Sequence, residues 1–90
     1  MPFRIQRSAK GECVTFTLSG RFKGEEVAEL QRLFGVERQD QRIVLDLEEV
    51  RLVDRDAVRF LARCQSKGTQ LENCPAYIRE WILREALEGN

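Results

Sequence analysis

Three aspartates near the middle of the chain, Asp46, Asp54 and Asp56, are the residues with the most evident chemical potential. Each follows or closes an apolar stretch, so all three belong near the carboxyl end of one strand. Sites in open α/β sheets form at that edge, so one interpretation of the three residues is a carboxylate cluster there. A Mg²⁺ ion needs several oxygen ligands, and the sequence offers no further ligand nearby. A magnesium site is therefore the weaker interpretation, and we predict no metal site.

The groups of an enzyme are otherwise missing from the sequence. It has no histidine, no nucleophile-elbow motif and no glycine-rich phosphate loop. Its three cysteines, Cys13, Cys64 and Cys74, are odd in number and lack a CxxC spacing, which argues against a disulfide framework and a zinc site. We therefore predict a protein without catalytic residues and without a cofactor, in which Cys64 is a buried thiol.

A row of basic residues follows the aspartates at four-residue spacing: Arg55, Arg59, Arg63 and Lys67. On a helix this row lies along one slowly turning surface. Like charges at this spacing oppose helix formation by a few tenths of a kcal/mol per pair. An acidic partner would remove that cost, so the row is a candidate docking surface. The alternative is an ordinary solvated helix face.

The aspartates and the basic row are positioned by one strand-to-helix unit. The run Ile43–Leu47 is short, apolar and rich in β-branched residues, which favours a buried strand. After a polar break at Glu48 and Glu49, the apolar residues Val50, Leu52 and Val53 are expected to return to the core. Asp54 then stands where a helix N-cap is expected, and a helix is predicted from Arg55 to about Lys67, with Gly68 after it.

The N-terminal third predicts a hairpin and a helix. Residues 3–7 and 14–18 alternate apolar and polar around a turn at Gly11, as two antiparallel strands do. Ser19 and Gly20 are expected to end the second strand, and the loop 21–24 leads into a helix with acidic residues in its first turn.

The C-terminal third predicts a short strand over 69–74 and a helix that Pro75 opens. The broad apolar face of this last helix is expected to pack on the core. Its members are Tyr77, Ile78, Trp81, Ile82, Ala86 and Leu87. An exposed ridge of Tyr77 and Trp81 is the weaker alternative.

The element order is thus ββαβαβα, which predicts an α/β (α+β-like) protein with a mixed four-stranded sheet. Each later strand is reached through a helix and should be parallel to the preceding one, with right-handed connections. A fragment of a doubly wound fold has the same order and stays open at this point. Ninety residues make one domain, 1–90, with a modest core.

The LDL of Leu45–Leu47, the apolar return and the aspartate that opens a helix resemble the STAS domain family, which includes bacterial anti-sigma factor antagonists. The family pattern at this helix is Asp-Ser-Ser/Thr-Gly, and residues 54–57 read Asp, Arg, Asp and Ala. Gly20 and Phe22 also match a glycine and an apolar residue of the family. The resemblance implies that the helices gather mainly on one face of the sheet.

The resemblance also implies a function. In the family the third motif residue is phosphorylated by a partner kinase, and only the unphosphorylated state binds that kinase. Here the position holds Asp56, which cannot be phosphorylated as serine is and carries one negative charge against about 1.5 to 2 for phosphoserine. We therefore expect a switch that is fixed or lost, unless Asp56 only favours the helix N-terminus.

The implied partner is a protein, either an anti-sigma factor kinase or other STAS-like chains, in a bacterial partner-switching pathway. This partner is expected to contact the loop before the first helix and the basic second helix. The expected contact residues are Arg21, Phe22, Asp54, Arg55, Asp56, Arg59 and Arg63. Two alternatives stay open: a sensor of a small anion or nucleotide near Arg55, and a structural, oligomerising subunit.

Charge and hydropathy limit the remaining classes. Fifteen basic and fifteen acidic residues give a net charge of zero, so we expect no nucleic-acid partner. The N-terminal twelve residues lack the apolar core of a signal peptide, and no apolar run approaches the roughly twenty residues of a membrane span. We therefore predict a cytoplasmic protein that does not insert into a membrane.

Overall fold

A computed structural model describes residues 2–88 as four strands and three helices. In chain order they are β1 (Arg4–Lys10), β2 (Cys13–Phe22), α1 (Gly24–Gly35), β3 (Arg42–Val53), α2 (Arg55–Ser66), β4 (Gln70–Glu72) and α3 (Ala76–Glu88). The predicted order of elements is confirmed.

The four strands form one mixed sheet in the order β1-β2-β3-β4. β1 and β2 are an antiparallel hairpin, while β2 with β3 and β3 with β4 are parallel pairs, as the connecting helices require. In the centre Phe16 of β2 is level with Leu45 of β3, and Leu45 is level with Leu71 of β4. Asp46 is the last residue of β3 that pairs with β4, level with Glu72.

One face of the sheet is buried and the other is not. Alternate residues of β2 are fully buried, among them Val14, Phe16 and Leu18, whereas the threonines between them are only half-buried. This period of two is that of a strand with one face on the core. The helices cover the buried face, as the family resemblance implied.

All five phenylalanines of the chain form one continuous row of ring contacts. Phe3 stacks on Phe22, Phe22 meets Phe60 edge-on, and Phe34 lies between Phe60 and Phe16, with ring centroids 5.3 to 6.1 Å apart. Such pairs are worth about 0.5–1.5 kcal/mol beyond their buried area. The row ties the hairpin, α1 and α2 together beneath the loop that carries the candidate site.

β2 is longer than the sequence indicated. It does not end at Gly20 but continues to Phe22, whose partner in β3 is Val53. The register shifts between Thr17 and Ser19 and again after Gly20, which has a φ of 88°. Glycine tolerates this left-handed backbone, so it allows the strand to bend without ending.

The burial expected for β3 is confirmed in part. β3 continues through its two glutamates to Val53, with a register shift against β2 between Asp46 and Glu49, and Val50 and Val53 are buried whereas Leu52 is 45% exposed. On α3 the buried apolar residues are Ile78 and Ile82, whereas Tyr77 is 48% exposed. The Tyr77 hydroxyl donates to the carbonyl of Arg51, so its polar end anchors α3 to the open edge of β3.

The end of α3 also departs from the expected face, because Leu87 is exposed and Glu85 is buried instead. No helix within residues 2–88 has the length and hydropathy needed to cross a membrane.

Candidate functional site

The side chain of Asp54 joins the N-termini of α1 and α2. Its Oδ1 accepts a hydrogen bond of 2.9 Å from the backbone N–H of Ala57 in α2 and another of 2.9 Å from Gly24, the first residue of α1. Its Oδ2 lies 3.0 Å from the same Gly24 nitrogen. The predicted N-cap is thus confirmed, and it holds two helices instead of one.

These contacts set the charge of Asp54. Burial favours the neutral carboxyl, but the backbone N–H groups of Gly24 and Ala57 and the nearby Lys23 outweigh it and lower the pKa of Asp54. The site therefore contains a permanent carboxylate at neutral pH. Asp54 orients the surrounding backbone and has little capacity left for a ligand.

Asp56 lies on the solvent side of the same junction. A Cβ atom placed on Gly24 would come within 2.9 Å of the Asp56 Cβ and 3.1 Å of its Oδ2. Only a glycine at position 24 allows this approach, which brings the carboxylate beside the start of α1 as well as of α2. Within residues 2–88 the exposed Asp56 side chain forms no hydrogen bond or ion pair.

α1 also has a cap of its own. The backbone N–H of Lys23 donates to Glu26 Oε1 over 2.9 Å, and the backbone N–H of Glu26 donates to the Lys23 carbonyl. The lysine side chain has no acceptor, so its carbonyl supplies the reciprocal bond. Together with Asp54, these contacts cap both helices without any help from Asp56.

The first half of the basic row is paired within the chain. Arg59 Nε lies 3.1 Å from Glu85 Oε1, and Arg55 Nε lies 3.3 Å from Glu85 Oε2. The Trp81 indole N–H donates to the same carboxylate. The Arg59 hydrogen bond outweighs burial, and with Arg55 and Trp81 it lowers the pKa of Glu85. Arg59 therefore joins α2 to α3, in addition to any role on the surface.

The other predicted contact residues fall into two groups. Arg21 and Arg63 are exposed, so both are available to a partner. Phe22 is fully buried, stacks on Phe3 and meets Phe60 edge-on, so it serves the core and cannot contact a partner directly. Its apolar character was read correctly, but β2 turns that side chain toward the helices.

The three aspartates do not converge on a metal. Asp46 Oδ1 accepts from the backbone N–H of Glu48 and from the Asn73 amide, while Asp54 is occupied by the two helices. In the part of the chain that the structure describes, no group of three or more potential ligands is placed to hold a metal ion.

Sequence reasoning missed three contributors to this region: Gly24, Glu85 and the exposed pair Leu52 and Tyr77. Gly24 was read as a loop residue, although its place before two glutamates at a helix start was visible. Glu85 gave no signal, because its partners Arg55 and Arg59 lie 30 and 26 residues away. Leu52 and Tyr77 add exposed apolar area at the end of β3 and the start of α3.

Solved structures share this architecture. A STAS-domain antisigma-factor antagonist from Rhodobacter sphaeroides matches with a TM-score of 0.61 and 15% identity, over 79% of this chain and 86% of that one. An uncharacterized protein from Shewanella loihica PV-4, described as having a SpoIIAA-like fold, matches with a TM-score of 0.55 and 16% identity. The match covers 99% of this chain and 78% of that one. The structure of Mglu matches with a TM-score of 0.57 and 25% identity. The match covers 79% of this chain but only 19% of that one.

No curated protein matches the sequence. The family model described as "Mlab, STAS domain" matches residues 5–76, which include the hairpin, α1, β3, the Asp54 junction, α2 and β4. The resemblance seen in the residues around Asp54 is therefore confirmed, and the chain belongs to the STAS domain family.

Proposed function

We propose that this protein is a non-enzymatic interaction module of a bacterial regulatory pathway of the partner-switching type. It acts by binding a protein, either an anti-sigma factor kinase or another STAS-like chain, in the cytoplasm. The contact surface is the exposed part of the α1–α2 junction, formed by Arg21, Arg55 and Asp56. The phosphorylation switch is fixed, because position 56 carries a carboxylate in place of a hydroxyl.

The observation that supports this proposal most is the setting of Asp56. Both neighbouring helices are already capped, by Asp54 and by the Lys23–Glu26 pair, so the fold does not need the Asp56 carboxylate. Interaction with the helix dipoles gives it roughly 0.3–1 kcal/mol. An exposed charge without a partner in residues 2–88, held beside two helix starts by Gly24, is well placed to be recognised from outside.

The composition of the surface around Asp56 fits a protein partner. Arg55 keeps 59% of its side chain exposed although it touches Glu85, and Leu52 and Tyr77 are exposed residues at the end of β3 and the start of α3. Arginine and tyrosine are the residue types that contribute most to binding energy at protein interfaces.

Site-specific photo-crosslinking tests the proposal. A photoreactive amino acid replaces Arg21, beside the junction, and a matched variant carries it at Arg84, an exposed arginine of α3. We expect a discrete crosslinked protein from position 21 in cells of the source organism and none from position 84. Equal yields of the same product from both positions would contradict the proposed surface.

The anion-sensing alternative is less well supported. The two helix N-termini that would attract an anion already face the carboxylates of Asp54 and Asp56, which repel one. A thermal-shift comparison of nucleotides with potassium chloride at equal ionic strength separates the two functions. Stabilisation by a nucleotide beyond that of the salt would favour the sensor.

A further inference from the structure

The C-terminal halves of α1 and α2 leave a groove between them, at the opposite end of the helix pair from Asp56. Its volume is about 220 Å³. Pockets for drug-sized ligands have roughly 300–1,000 Å³, so this groove fits one or two amino-acid side chains better than a nucleotide or a cofactor. From Asp56 to Arg63, at its rim, the distance along α2 is about 10 Å.

The apolar part of the groove's lining consists of Phe34, Phe60 and Cys64, and the two rings belong to the phenylalanine row with centroids 6.0 Å apart. Gln31 and Thr69, which are polar, also line the groove. Burial raises the pKa of the Cys64 thiol to about 11, so this group is uncharged at neutral pH and contributes apolar surface. An apolar side chain fits this part of the groove, where these three residues lie.

The rim of the groove is basic. Arg63 and Lys67 line it, both are exposed, and neither forms an ion pair with any residue of the described range 2–88. They differ in this from Arg55 and Arg59, which Glu85 holds. Both cations also stabilise the C-terminus of α2 by a favourable interaction with the helix dipole. That role does not require an apolar groove between these residues and α1.

We propose that this groove binds an apolar side chain of an acidic segment on a protein partner, with Arg63 and Lys67 contacting the carboxylates that flank it. An apolar anchor in a pocket surrounded by complementary charge is a common arrangement of an interface centre. The inference rests on the proposed function only in taking the partner to be a protein, because the groove shares no residue with the Asp56 junction.

The experiment is a titration of the ¹⁵N-labelled protein with the peptide acetyl-Glu-Glu-Leu-Phe-Glu-Glu-amide, followed by amide chemical shifts. We expect saturable shifts at Phe34, Cys64 and Thr69. Replacing Leu-Phe in the peptide by Ala-Ala should raise the dissociation constant by about tenfold or more, since burying one such side chain contributes roughly 1.5–3 kcal/mol. Equal binding of the two peptides would overturn the proposal.

Charge reversal gives the second readout. Arg63→Glu with Lys67→Glu should abolish saturable binding, whereas Arg4→Glu with Arg84→Glu changes the net charge equally at exposed sites away from the groove and should preserve it. Loss of peptide binding in both double variants would show that the peptide responds to the overall charge of the protein. That result would overturn the proposed groove site.

The two proposals can fail separately. Asp56→Asn should leave peptide binding unchanged. Absence of peptide binding together with a specific crosslink from position 21 would overturn the groove alone. Peptide binding without that crosslink would count against the proposed function alone.

Discussion

At the scale of single residues, one carboxylate holds the candidate site in shape. Asp54 accepts hydrogen bonds from the first turns of two helices that come from different parts of the sheet. It therefore fixes where α1 and α2 start relative to each other. Asp56 depends on that arrangement, because its position beside Gly24 follows from the distance between the two helix starts.

Replacing Asp54 with alanine removes the shared acceptor. We expect the free energy of unfolding to fall by about 2 kcal/mol, the upper end of the range for losing a single N-cap. Asp56→Ala is the matched control and should cost at most about 1 kcal/mol, because that carboxylate interacts only with the helix dipoles. Urea unfolding followed by circular dichroism measures both. Equal losses would mean that Asp54 is not the principal cap.

The same carboxylate makes stability depend on pH. Because the hydrogen bonds to Asp54 lower its pKa in the folded state below the unfolded value, the folded state binds fewer protons. The stabilisation is complete above the unfolded pKa, about 3.9, and is lost as the pH falls through the folded pKa. Below about pH 4 the native protein should lose stability more steeply than Asp54→Asn. Parallel urea midpoints in acid would contradict this assignment.

Two glycines of α1 offer a matched test of the close approach. Gly24→Ala should destabilise the protein by about 1–3 kcal/mol, since the new methyl group overlaps Asp56. Gly35→Ala, with open space around its Cβ position, should be neutral or stabilise by up to about 1 kcal/mol. Thermal unfolding of both variants measures the two changes in stability. A stabilising Gly24→Ala would show that Asp56 has room to move away.

At the scale of secondary-structure elements, the attachment of α3 depends on Glu85. Its buried carboxylate contacts the side chains of Arg59, Arg55 and Trp81. An alanine at position 85 would therefore leave two arginines of α2 without their partner. We expect Glu85→Ala to lower the unfolding midpoint clearly more than Glu80→Ala, an exposed glutamate of the same helix. Native-state hydrogen exchange should show faster exchange in α3 first. Equal midpoints for the two variants would contradict this attachment.

This contact also changes how the basic row should be probed. Reversing Arg59 would place a glutamate against Glu85 and loosen α3, so a loss of binding could not be assigned to the surface. Arg63 and Lys67 carry the same charge without that structural role.

The elements themselves were predictable because each has a local signal. Periodicity placed the strands and helices, and Asp54 marked the start of α2 correctly. What the sequence could not give depends on distant pairing. Leu52 looks like a core residue until β3 is seen to continue past its glutamates, and Glu85 looks like a surface residue until α2 is packed beside it.

At the scale of the whole molecule, the fold places two different surfaces on the neighbouring helices α1 and α2. The N-terminal end presents the Asp56 carboxylate beside Arg21 and Arg55, and the C-terminal end presents the apolar groove with its basic rim. Family membership followed from the residues around Asp54, and the order of elements along the chain followed from periodicity. The side chains that form the two surfaces could not be predicted in this way, because residues from α1 and α2 meet there only in the folded chain.

The central claim is that the fixed negative charge of Asp56 changes the affinity of a protein partner. Titration calorimetry of the partner identified by crosslinking, against the native protein, Asp56→Asn and Asp56→Ser, tests it most directly. If the carboxylate stands in for a phosphorylated residue, both variants should bind more tightly, by about tenfold for ~1.4 kcal/mol of removed repulsion. Equal dissociation constants for all three proteins would contradict the claim and leave Asp56 a residue that only favours the start of a helix.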